Sequence, residues 1–318
     1  MSEPTTPGLL TIGLTTLDVI ARPVDALTHT ERATMIDGIA CAPAGTAGGA
    51  AMVAARLGMR VTIVGAVGDD LTGGFVRLGF ESVGVDTSLL VAKPGARTST
   101  TLLTVESNGR RSSYHMPGAG TLAAIDGTVT TAARASGFVH YASVGGAATD
   151  GGPGAQLLRA AKASGATVTC DLIGPRRSAL DELKRLLPNV DYFMPSAAEA
   201  AFLSGSDDIA AAAELFRSLG AGACIIKNGR QGSYVSMGSE RHTVPAHAIE
   251  PIDTTSCGDS YCAGFIAALA RGWLPLEACR FATSTAARVA EGLGTLGRLE
   301  SFAETEKAMR DMALVEGG

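Results

Sequence analysis

Residues 253–260 concentrate side-chain types that could bind an anion and move a proton. Their sequence, DTTSCGDS, places small polar residues directly before a helical pattern at 261–270. The first N–H groups of a helix have no partner within it, and the helix dipole adds partial positive charge there. A phosphate held by these groups would lie beside Asp259, whose carboxylate could accept the proton of an attacking hydroxyl. Such an arrangement suits phosphoryl transfer to an alcohol.

An ordinary helix start would show much of the same pattern. Serine or threonine before the first turn, with an acidic residue inside it, is the usual way to cap free N–H groups. For this segment alone, helix capping is the commoner explanation. Other motifs in the chain are needed to distinguish an anion-binding site from an ordinary helix cap.

The elements that must position this segment follow an α/β pattern. Apolar runs of strand length alternate with Ala- and Leu-rich stretches of helical period over most of the 318 residues. Strands are predicted at 9–14, 61–67, 137–142, 166–171, 190–194 and 223–227, and helices at 47–57, 154–163, 197–203, 209–219 and 258–270. Parallel strands joined by crossover helices are expected, in one continuous domain spanning 1–318.

Two regions break the alternation, 18–43 and 97–116. In the second, Thr98, Thr100, Leu102 and Thr104 alternate with their neighbours at period two, and no helix follows. This pattern predicts antiparallel strands. The two regions could pair with each other as a small sheet that covers the ends of the main strands, where open α/β folds bind ligands.

Composition and short motifs exclude several classes of function. The net charge of −5 comes without a basic block, which argues against nucleic-acid binding. No apolar run reaches the roughly 18 to 20 residues that span a bilayer. Six cysteines without a CxxC pair, and no leader-like N-terminus, predict reduced thiols in a cytoplasmic protein. No GxGxxG follows the first predicted strand and opens a helix, which disfavours a dinucleotide-dependent dehydrogenase, and no GxxxxGK[ST] phosphate loop is present, which disfavours a P-loop NTPase.

The chain resembles the ribokinase-like carbohydrate kinase family, also called PfkB, along nearly its whole length. DTTSCGDSYCAGF at 253–265 is similar to the family's C-terminal signature, usually DTTGAGDxFxxGF. Four further matches occur in family order, at 45–58, at 64–70 with 84–87, at 108–111 with 117–119, and at 227–232. The resemblance implies a three-layer α/β sandwich with a mostly parallel central sheet flanked by helices. It also implies a small β-sheet lid, inserted at about 18–43 and 97–116.

This resemblance implies an enzyme that transfers the γ-phosphoryl group of ATP to a hydroxyl of a sugar-like substrate. By position, Asp259 would be the general base, and the backbone of Ser256, Cys257, Gly258 and Asp259 would form the anion hole. The substrate would be bound by Asp18, placed at the end of the first strand, and by a loop containing Gly45, Thr46, Gly48 and Gly49.

The resemblance also implies how ATP and cations are held. The residues that match the nucleotide side are Lys227, Gly229, Gly232, Thr254, Thr255 and Ser196. Glu199 would hold Mg²⁺ through water, with support from Asp171, although each alone could be an ordinary surface carboxylate. A monovalent cation such as K⁺ is implied near Asp253, Thr255 and the loop at 292–294.

Several positions depart from the family pattern. Ser256 and Cys257 replace the Gly and Ala of GAGD, so the anion hole would be strained if it needs φ > 0 there, or it would gain a hydroxyl donor. Gly49, Gly120 and Ser196 stand where relatives have asparagine. Lost amides mean lost hydrogen bonds, so the substrate is expected to differ from ribose.

The lid sequence favours a monosaccharide or related polyol over a nucleoside. A nucleoside base needs a ring to stack on, and the two lid regions contain only Tyr114, His115 and His29. Tyr114 is read as a strand residue that covers the sheet. A nucleoside kinase of the same fold, and a sugar- or nucleotide-binding relative without catalysis, remain the alternatives. The edges of the lid strands predict a homodimer joined through the lids.

Overall fold

The computed structural model describes residues 7–26, 31–145, 149–172, 174 and 178–315. The strands within this part are β1 (Leu9–Gly13), β2 (Thr16–Arg22), β3 (Gly38–Ala44), β4 (Val61–Gly68), β5 (Val85–Asp86), β6 (Leu90–Lys93), β7 (Thr100–Val105), β8 (Arg111–Met116), β9 (Phe138–Val144), β10 (Thr167–Leu172), β11 (Tyr192–Phe193), β12 (Ala223–Lys227), β13 (Ser233–Met237) and β14 (Glu240–Val244).

The α-helices are α1 (Thr46–Arg56), α2 (Leu71–Glu81), α3 (Gly127–Ala135), α4 (Pro153–Ala163), α5 (Ala179–Leu186), α6 (Ala197–Ser204), α7 (Ile209–Ser218), α8 (Cys257–Leu269), α9 (Pro275–Ala290) and α10 (Phe302–Asp311). Short 3₁₀ turns lie at Ala119–Thr121, Leu187–Asn189 and Gly229–Gln231. No helix in the described ranges is both long and apolar enough to cross a lipid bilayer.

The central sheet has the order β14-β13-β12-β11-β10-β9-β1-β4-β5, with β6 also paired to β4. The strands from β12 to β5 are parallel, and β13 and β14 add an antiparallel edge. Each of the six predicted strands is present in the described residues. The predicted α/β fold with a mostly parallel sheet is confirmed.

Helices cover both faces of the central sheet because its strands carry apolar side chains on alternate sides. On one face, residues such as Ile63 and Ile225 pack against α1, α8 and α9. On the other face, residues such as Ile12 and Phe193 pack against helices that include α4 and α7. Burial on both faces makes strand positions continuously apolar, which explains why the strands were visible in the sequence.

The two regions that break the alternation form a second, four-stranded sheet of order β3-β2-β7-β8, here called the lid. Pairing is antiparallel for β2 with β3 and for β7 with β8, whereas β2 and β7 run parallel. The predicted pairing of the two regions is therefore confirmed. Part of the link between β2 and β3, residues 27–30 with His29, lies outside the described residues.

The register of the lid separates an outer from an inner face. One row across the sheet joins Cys41, Val19, Leu102 and Tyr114, and the next joins Ala42, Asp18, Thr101 and His115. Because side chains alternate along a strand, these two rows point to opposite sides. Asp18 is buried whereas Tyr114 is 53% exposed, so the row with Asp18 faces the protein.

Candidate active site

Helix α8 begins at an unusual residue. Its N-cap, Ser256, has φ 56° and ψ 8°, which is the left-handed conformation. No other non-glycine residue in the described ranges has a positive φ. An L-residue in this conformation costs about 1–2 kcal/mol relative to its normal range. The strain that the sequence predicted for a serine at this position is present.

The start of α8 leaves backbone donors free, as the sequence predicted. The N–H group of Cys257 lies 3.4 Å from the carbonyl oxygen of Thr254 and donates to it. The N–H groups of Ser256, Gly258 and Asp259 donate to no group in the described residues. Three of the four predicted anion-hole donors are therefore available to a ligand.

Asp259 faces the start of α1. A Cβ placed on Gly49 would lie 2.8 Å from Oδ2 of Asp259 and 3.2 Å from Oγ of Ser256. A side chain at position 49 would collide with the carboxylate. Glycine at position 49 thus lets the two helix starts approach, and it brings three of the predicted site residues to one point.

Burial raises the pKa of Asp259 well above its usual range, and the nearby Asp171 carboxylate raises it further. The Lys227 ammonium acts in the opposite direction, and Asp18 and Glu199 add smaller increases. A carboxylate with a raised pKa is a stronger proton acceptor once it is ionised. Such a shift in a cleft is typical of functional sites.

A buried ion pair lies beneath this helix start. Nζ of Lys227, at the end of β12, lies 2.5 Å from Oδ2 of Asp171, at the end of β10. The thiol of Cys262 lies 3.3 Å from the same carboxylate oxygen and 3.5 Å from the ammonium. Burial alone would lower the pKa of Lys227, but the charge and hydrogen bond of Asp171, together with Cys262 and Glu199, outweigh it and raise that pKa. The lysine is therefore charged, and a Cβ on Gly258 would lie 3.4 Å from its Nζ.

Glu199 closes the start of α6. Its Oε2 accepts hydrogen bonds from the N–H and the hydroxyl of Ser196, at 2.8 and 2.7 Å, while its own N–H donates to Ser196 Oγ. This is a capping box. Burial raises the pKa of Glu199, as does Asp171. The carboxylate has a structural role at Ser196, and its Oε1 is left to hold another group.

The predicted nucleotide side forms an open cleft of about 490 Å³. Its lining includes Ser196, Lys227, Gly229 and Arg230. Gly229 and Gly232 both have positive φ, and a side chain on Gly232 would collide with the carbonyl of Val244. The tight turn at 227–232 therefore depends on glycine.

Asp253 and Thr255 are already engaged with the protein. The two carboxylate oxygens of Asp253 accept from the N–H groups of Thr255 and Gly294, at 2.8 and 3.1 Å. The hydroxyl of Thr255 accepts from Nη1 of Arg111 at 2.9 Å. Thr254 is exposed. These bonds tie the loop before α8 to the loop at 292–294 and to the lid.

Asp18 has a different position in the fold from the predicted one. It lies in the lid strand β2 rather than at the end of the first strand, because β1 ends at Gly13 and the chain turns before Thr16. Its side chain is buried, and Oδ1 has no hydrogen-bond partner in the described residues. Burial raises the pKa of Asp18 to about 6, although Thr101 and Arg111 lower it. A buried carboxylate oxygen without a hydrogen-bond partner lowers stability unless a ligand donates a hydrogen bond to it.

The predicted glycine-rich substrate loop is mostly helical. Gly45, with φ 91°, precedes α1, but Thr46, Gly48 and Gly49 lie in its first turn. The hydroxyl of Thr46 donates to the carbonyl of Ala142 at 2.8 Å and so ties α1 to β9. The helix predicted at 47–57 is present and begins one residue earlier, so only Gly45 of these four lies outside it, and their role in substrate binding stays a prediction.

Two inner-face lid residues were not singled out as site residues in the sequence. Arg111 reaches the loop before α8 through Thr255, and Nδ1 of His115 lies 3.1 Å from Oγ1 of Thr101. The period-two pattern of β7 and β8 could have placed both on the face of Asp18, had the register of the lid been known. Tyr114 lies in strand β8, as predicted, and its side chain is on the outer face of the lid.

No group of three or more His, Cys, Asp or Glu residues in the described ranges is arranged to hold a metal ion. Magnesium commonly keeps most of its water and uses one or two carboxylates plus substrate phosphates. The free Oε1 of Glu199 fits that limited role. Each carboxylate oxygen of Asp253 accepts one hydrogen bond and keeps a further lone pair, so the monovalent cation site near Asp253 and Thr255 stays a prediction.

Known proteins are similar to this chain over most of its length. The sequence profile described as pfkB family carbohydrate kinase matches residues 7–301. A fructokinase from Klebsiella pneumoniae is 28% identical over 279 residues, which are 85% of this chain and 90% of that protein. A nucleoside kinase from Methanothermobacter thermautotrophicus is 26% identical over 316 residues, 94% of each chain.

Solved structures share the fold. The structure of a putative ribokinase II from E. coli in complex with ATP and Mg²⁺ superimposes with a TM-score of 0.80. It covers 96% of this chain and 99% of its own, at 20% sequence identity. The likeness extends over both the central sheet and the lid, because nearly the whole of each chain is included.

Proposed function

The chain belongs to the pfkB family of carbohydrate kinases, and we propose that it transfers the γ-phosphoryl group of ATP to a hydroxyl group of a monosaccharide or related polyol. The observation that carries this proposal is the start of α8, where free N–H groups adjoin the carboxylate of Asp259. Phosphoryl transfer needs electrostatic stabilisation of the transferring group and a base for the attacking alcohol. The start of α8 would supply both within one helical turn.

In the proposed reaction, the acceptor oxygen attacks the γ-phosphorus while its proton passes to Asp259. The new bond joins that oxygen to phosphorus, and the bond from phosphorus to the β,γ-bridging oxygen breaks to release ADP. A raised pKa favours proton acceptance by Asp259 in the transition state. The base lies on the Gly49 side of the helix start, where the acceptor would bind.

The positive end of α8 would stabilise the transferring phosphoryl group. Its three free N–H groups are fixed before the reaction begins, so no reorganisation is needed at the moment of transfer. Lys227 adds a full charge next to Gly258 and is held there by Asp171. We therefore assign Lys227 to the phosphate end of ATP.

Mg²⁺ would neutralise charge on the ATP phosphates, and Glu199 is the residue placed to hold its hydration water. The assignment rests on the unbonded Oε1 of Glu199 and on the neighbouring turn at 227–232. The K⁺ site near Asp253 and Thr255 stays a prediction, and we derive no step through it.

A polyhydroxylated acceptor fits the lid better than a nucleoside does. The inner face offers Asp18, Thr101 and His115, which can pair with several hydroxyl groups. Tyr114, which could have stacked on a base, is on the outer face. The similarity to a nucleoside kinase over 94% of the chain keeps nucleosides as the second candidate.

We also propose a homodimer joined through the lids. The outer lid face exposes Ile39, Leu102, Tyr114 and Met116, each more than 40% accessible. An apolar sheet face of this kind is usually covered in soluble proteins. Light scattering coupled to size exclusion should give twice the 32.2 kDa chain mass, and replacing Leu102 and Tyr114 by serine should halve it. A monomeric mass for the unaltered protein would contradict the dimer.

The function is tested by measuring ADP release over a panel of acceptors with MgATP. The panel contains pentoses, hexoses, sugar acids, polyols and nucleosides, and a D259N variant serves as the matched control. We expect stimulation by at least one sugar and loss of that stimulation in D259N. Stimulation by nucleosides alone would replace the sugar assignment. Binding of a sugar without any ADP release would identify a relative that has lost catalysis.

A further inference from the structure

We propose that the side-chain hydroxyl of Ser256 contacts the acceptor directly and helps to decide which acceptor is used. This inference rests on the proposed kinase function and assigns Ser256 a role beyond its backbone N–H group. It concerns the wall of the site that lies opposite α1. Three features of Ser256 support it.

The first feature is the direction of the side chain. Oγ of Ser256 lies 3.2 Å from the position that a Cβ of Gly49 would occupy, and Oδ2 of Asp259 lies 2.8 Å from that position. Gly258, two residues further along the chain, faces a different group, since a Cβ on Gly258 would lie 3.4 Å from Nζ of Lys227. The hydroxyl of Ser256 thus faces the side of the proposed base, and Gly258 faces the side of the phosphate.

The second feature is the absence of a protein partner for this hydroxyl. Within the described part of the chain, Ser256 Oγ takes part in no hydrogen bond, although the carbonyl of the same residue accepts from Ser260. By contrast, the hydroxyl of Thr46, in the first turn of α1, donates to the Ala142 carbonyl. A free hydroxyl can both donate to and accept from a polyol.

The third feature excludes helix capping as the reason for a serine. Ser256 is the N-cap residue of α8, yet its side chain makes no capping hydrogen bond. N-cap residues normally adopt extended backbone angles that aim the side chain at the first-turn N–H groups. Here the left-handed backbone leaves those N–H groups free and turns Oγ toward Gly49. Retaining a strained serine without a cap indicates another use for its hydroxyl.

Together these features give positions 49 and 256 complementary roles in shaping the acceptor side of the site. Gly49 supplies no side chain and opens space, whereas Ser256 places one polar group in that space from the opposite helix. An acceptor whose reacting hydroxyl approaches Asp259 would have a neighbouring polar group within reach of Ser256. We therefore expect Ser256 to favour acceptors that carry a second hydroxyl next to the reacting one over their deoxy analogues.

Two variants separate the hydroxyl from the backbone. S256A removes the hydroxyl and keeps the strain, and S256G removes both. With D-fructose, D-ribose and 2-deoxy-D-ribose as probes, we expect each variant to raise KM for the best acceptor about 10-fold, the scale of one lost hydrogen bond to substrate. KM for ATP should change much less, and the preference over the deoxy sugar should shrink equally in both variants.

The outcomes distinguish this inference from the proposed function. Acceptor kinetics of S256A that match the unaltered protein overturn the inference alone, and so does a change in S256G without one in S256A. If the unaltered protein releases no ADP, sugar-induced shifts in its melting temperature provide the second readout. A sugar-induced shift that both variants lose supports the inference while the kinase proposal fails. No sugar-induced shift in the unaltered protein overturns both.

Discussion

The two sides of the helix start at α8 are built in opposite ways. On the nucleotide side, Lys227 is paired with Asp171, and Glu199 is bonded to Ser196. On the acceptor side, Oδ1 of Asp18 has no partner in the described residues, and Ser256 is strained with a free hydroxyl. The charged groups on the nucleotide side thus have partners in the protein, whereas those two groups on the acceptor side have none in the described residues.

This difference indicates which ligand completes which groups. Buried polar atoms are normally satisfied, so unpaired atoms in a folded protein call for an explanation. Strained and unpaired groups lower stability and persist where function uses them. We infer that the nucleotide side is a rigid scaffold and that the acceptor supplies the missing partners of Asp18 and Ser256.

The largest expected effect is that of D259N on turnover. We expect kcat to fall by about 10²- to 10⁴-fold, because the variant cannot accept the proton of the acceptor hydroxyl. Stability should not fall, since burial disfavours the ionised carboxylate that the variant removes. Coupled ADP assays and thermal melts measure both. D126N, which changes the N-cap residue of the distant α3, is the control. Turnover of D259N close to the unaltered rate would remove Asp259 from the mechanism.

The next effect should fall on stability, at the paired side. K227M leaves Asp171 as a buried carboxylate without its cation, and breaking such a pair costs about 3–5 kcal/mol. Urea unfolding measures the loss. The double variant D171N/K227M is the matched control, because it removes the charge together with its partner and should recover part of the free energy of unfolding. Equal stability of K227M and the unaltered protein would show that the pair is not buried.

D18N should weaken binding of the acceptor and raise the free energy of unfolding at high pH. Acceptor KM should rise about 10-fold or more through the lost ionic hydrogen bonds, while ATP binding is kept. Because the folded-state pKa of Asp18 is raised from 3.8 to about 6, folding favours its protonated form. The protonated carboxyl group of Asp18 therefore contributes to the free energy of unfolding below pH 4, and this contribution is lost as the pH rises to 6.

The variant cannot ionise, so its advantage appears only at higher pH. At pH 8 we expect D18N to be more stable than the unaltered protein by about 2–3 kcal/mol, and below pH 4 the two should converge. In the unaltered protein, kcat/KM for the acceptor should decline below about pH 6. A D18N variant that is less stable at pH 8 would mean that the carboxylate has a protein partner.

The smallest effect concerns the strained backbone. S256G should raise the free energy of unfolding by about 0.5–1 kcal/mol, which is the relief of left-handed strain less the extra entropy of glycine in the unfolded chain. S256A keeps the strain and should not be stabilised. Urea unfolding of the two variants under one set of conditions makes the comparison. A destabilised S256G would show that the serine supports the fold and not the site.

The sequence predicted the central sheet and the start of α8 because local patterns determine both. Buried strands such as β4 are continuously apolar, and the DTTSCGD motif combines small polar residues with a helix start. Asp18 was placed at the end of the first strand because the predicted lid region began only at that residue, whereas β2 already begins at Thr16. Contacts across the site, such as Arg111 with Thr255, join residues far apart in the chain and have no local signal.

The two sides also differed in how far the sequence could describe them. Ser196 and Glu199 were proposed as ligand-binding residues, and the capping box that they form is a pattern of helix starts. That pattern is visible in the spacing and could have been predicted. The free hydroxyl of Ser256 could not, because its direction depends on a left-handed backbone that most serines avoid.

The central claim is that the start of α8 holds the transferring phosphoryl group beside Asp259. A crystal structure with Mg²⁺, a non-hydrolysable ATP analogue and the best sugar of the panel tests it most directly. We predict the γ-phosphate within hydrogen-bonding distance of the N–H groups of Gly258 and Asp259, with the reacting sugar hydroxyl between that phosphate and the Asp259 carboxylate. A γ-phosphate bound elsewhere, or a sugar with no hydroxyl near Asp259, would contradict the account.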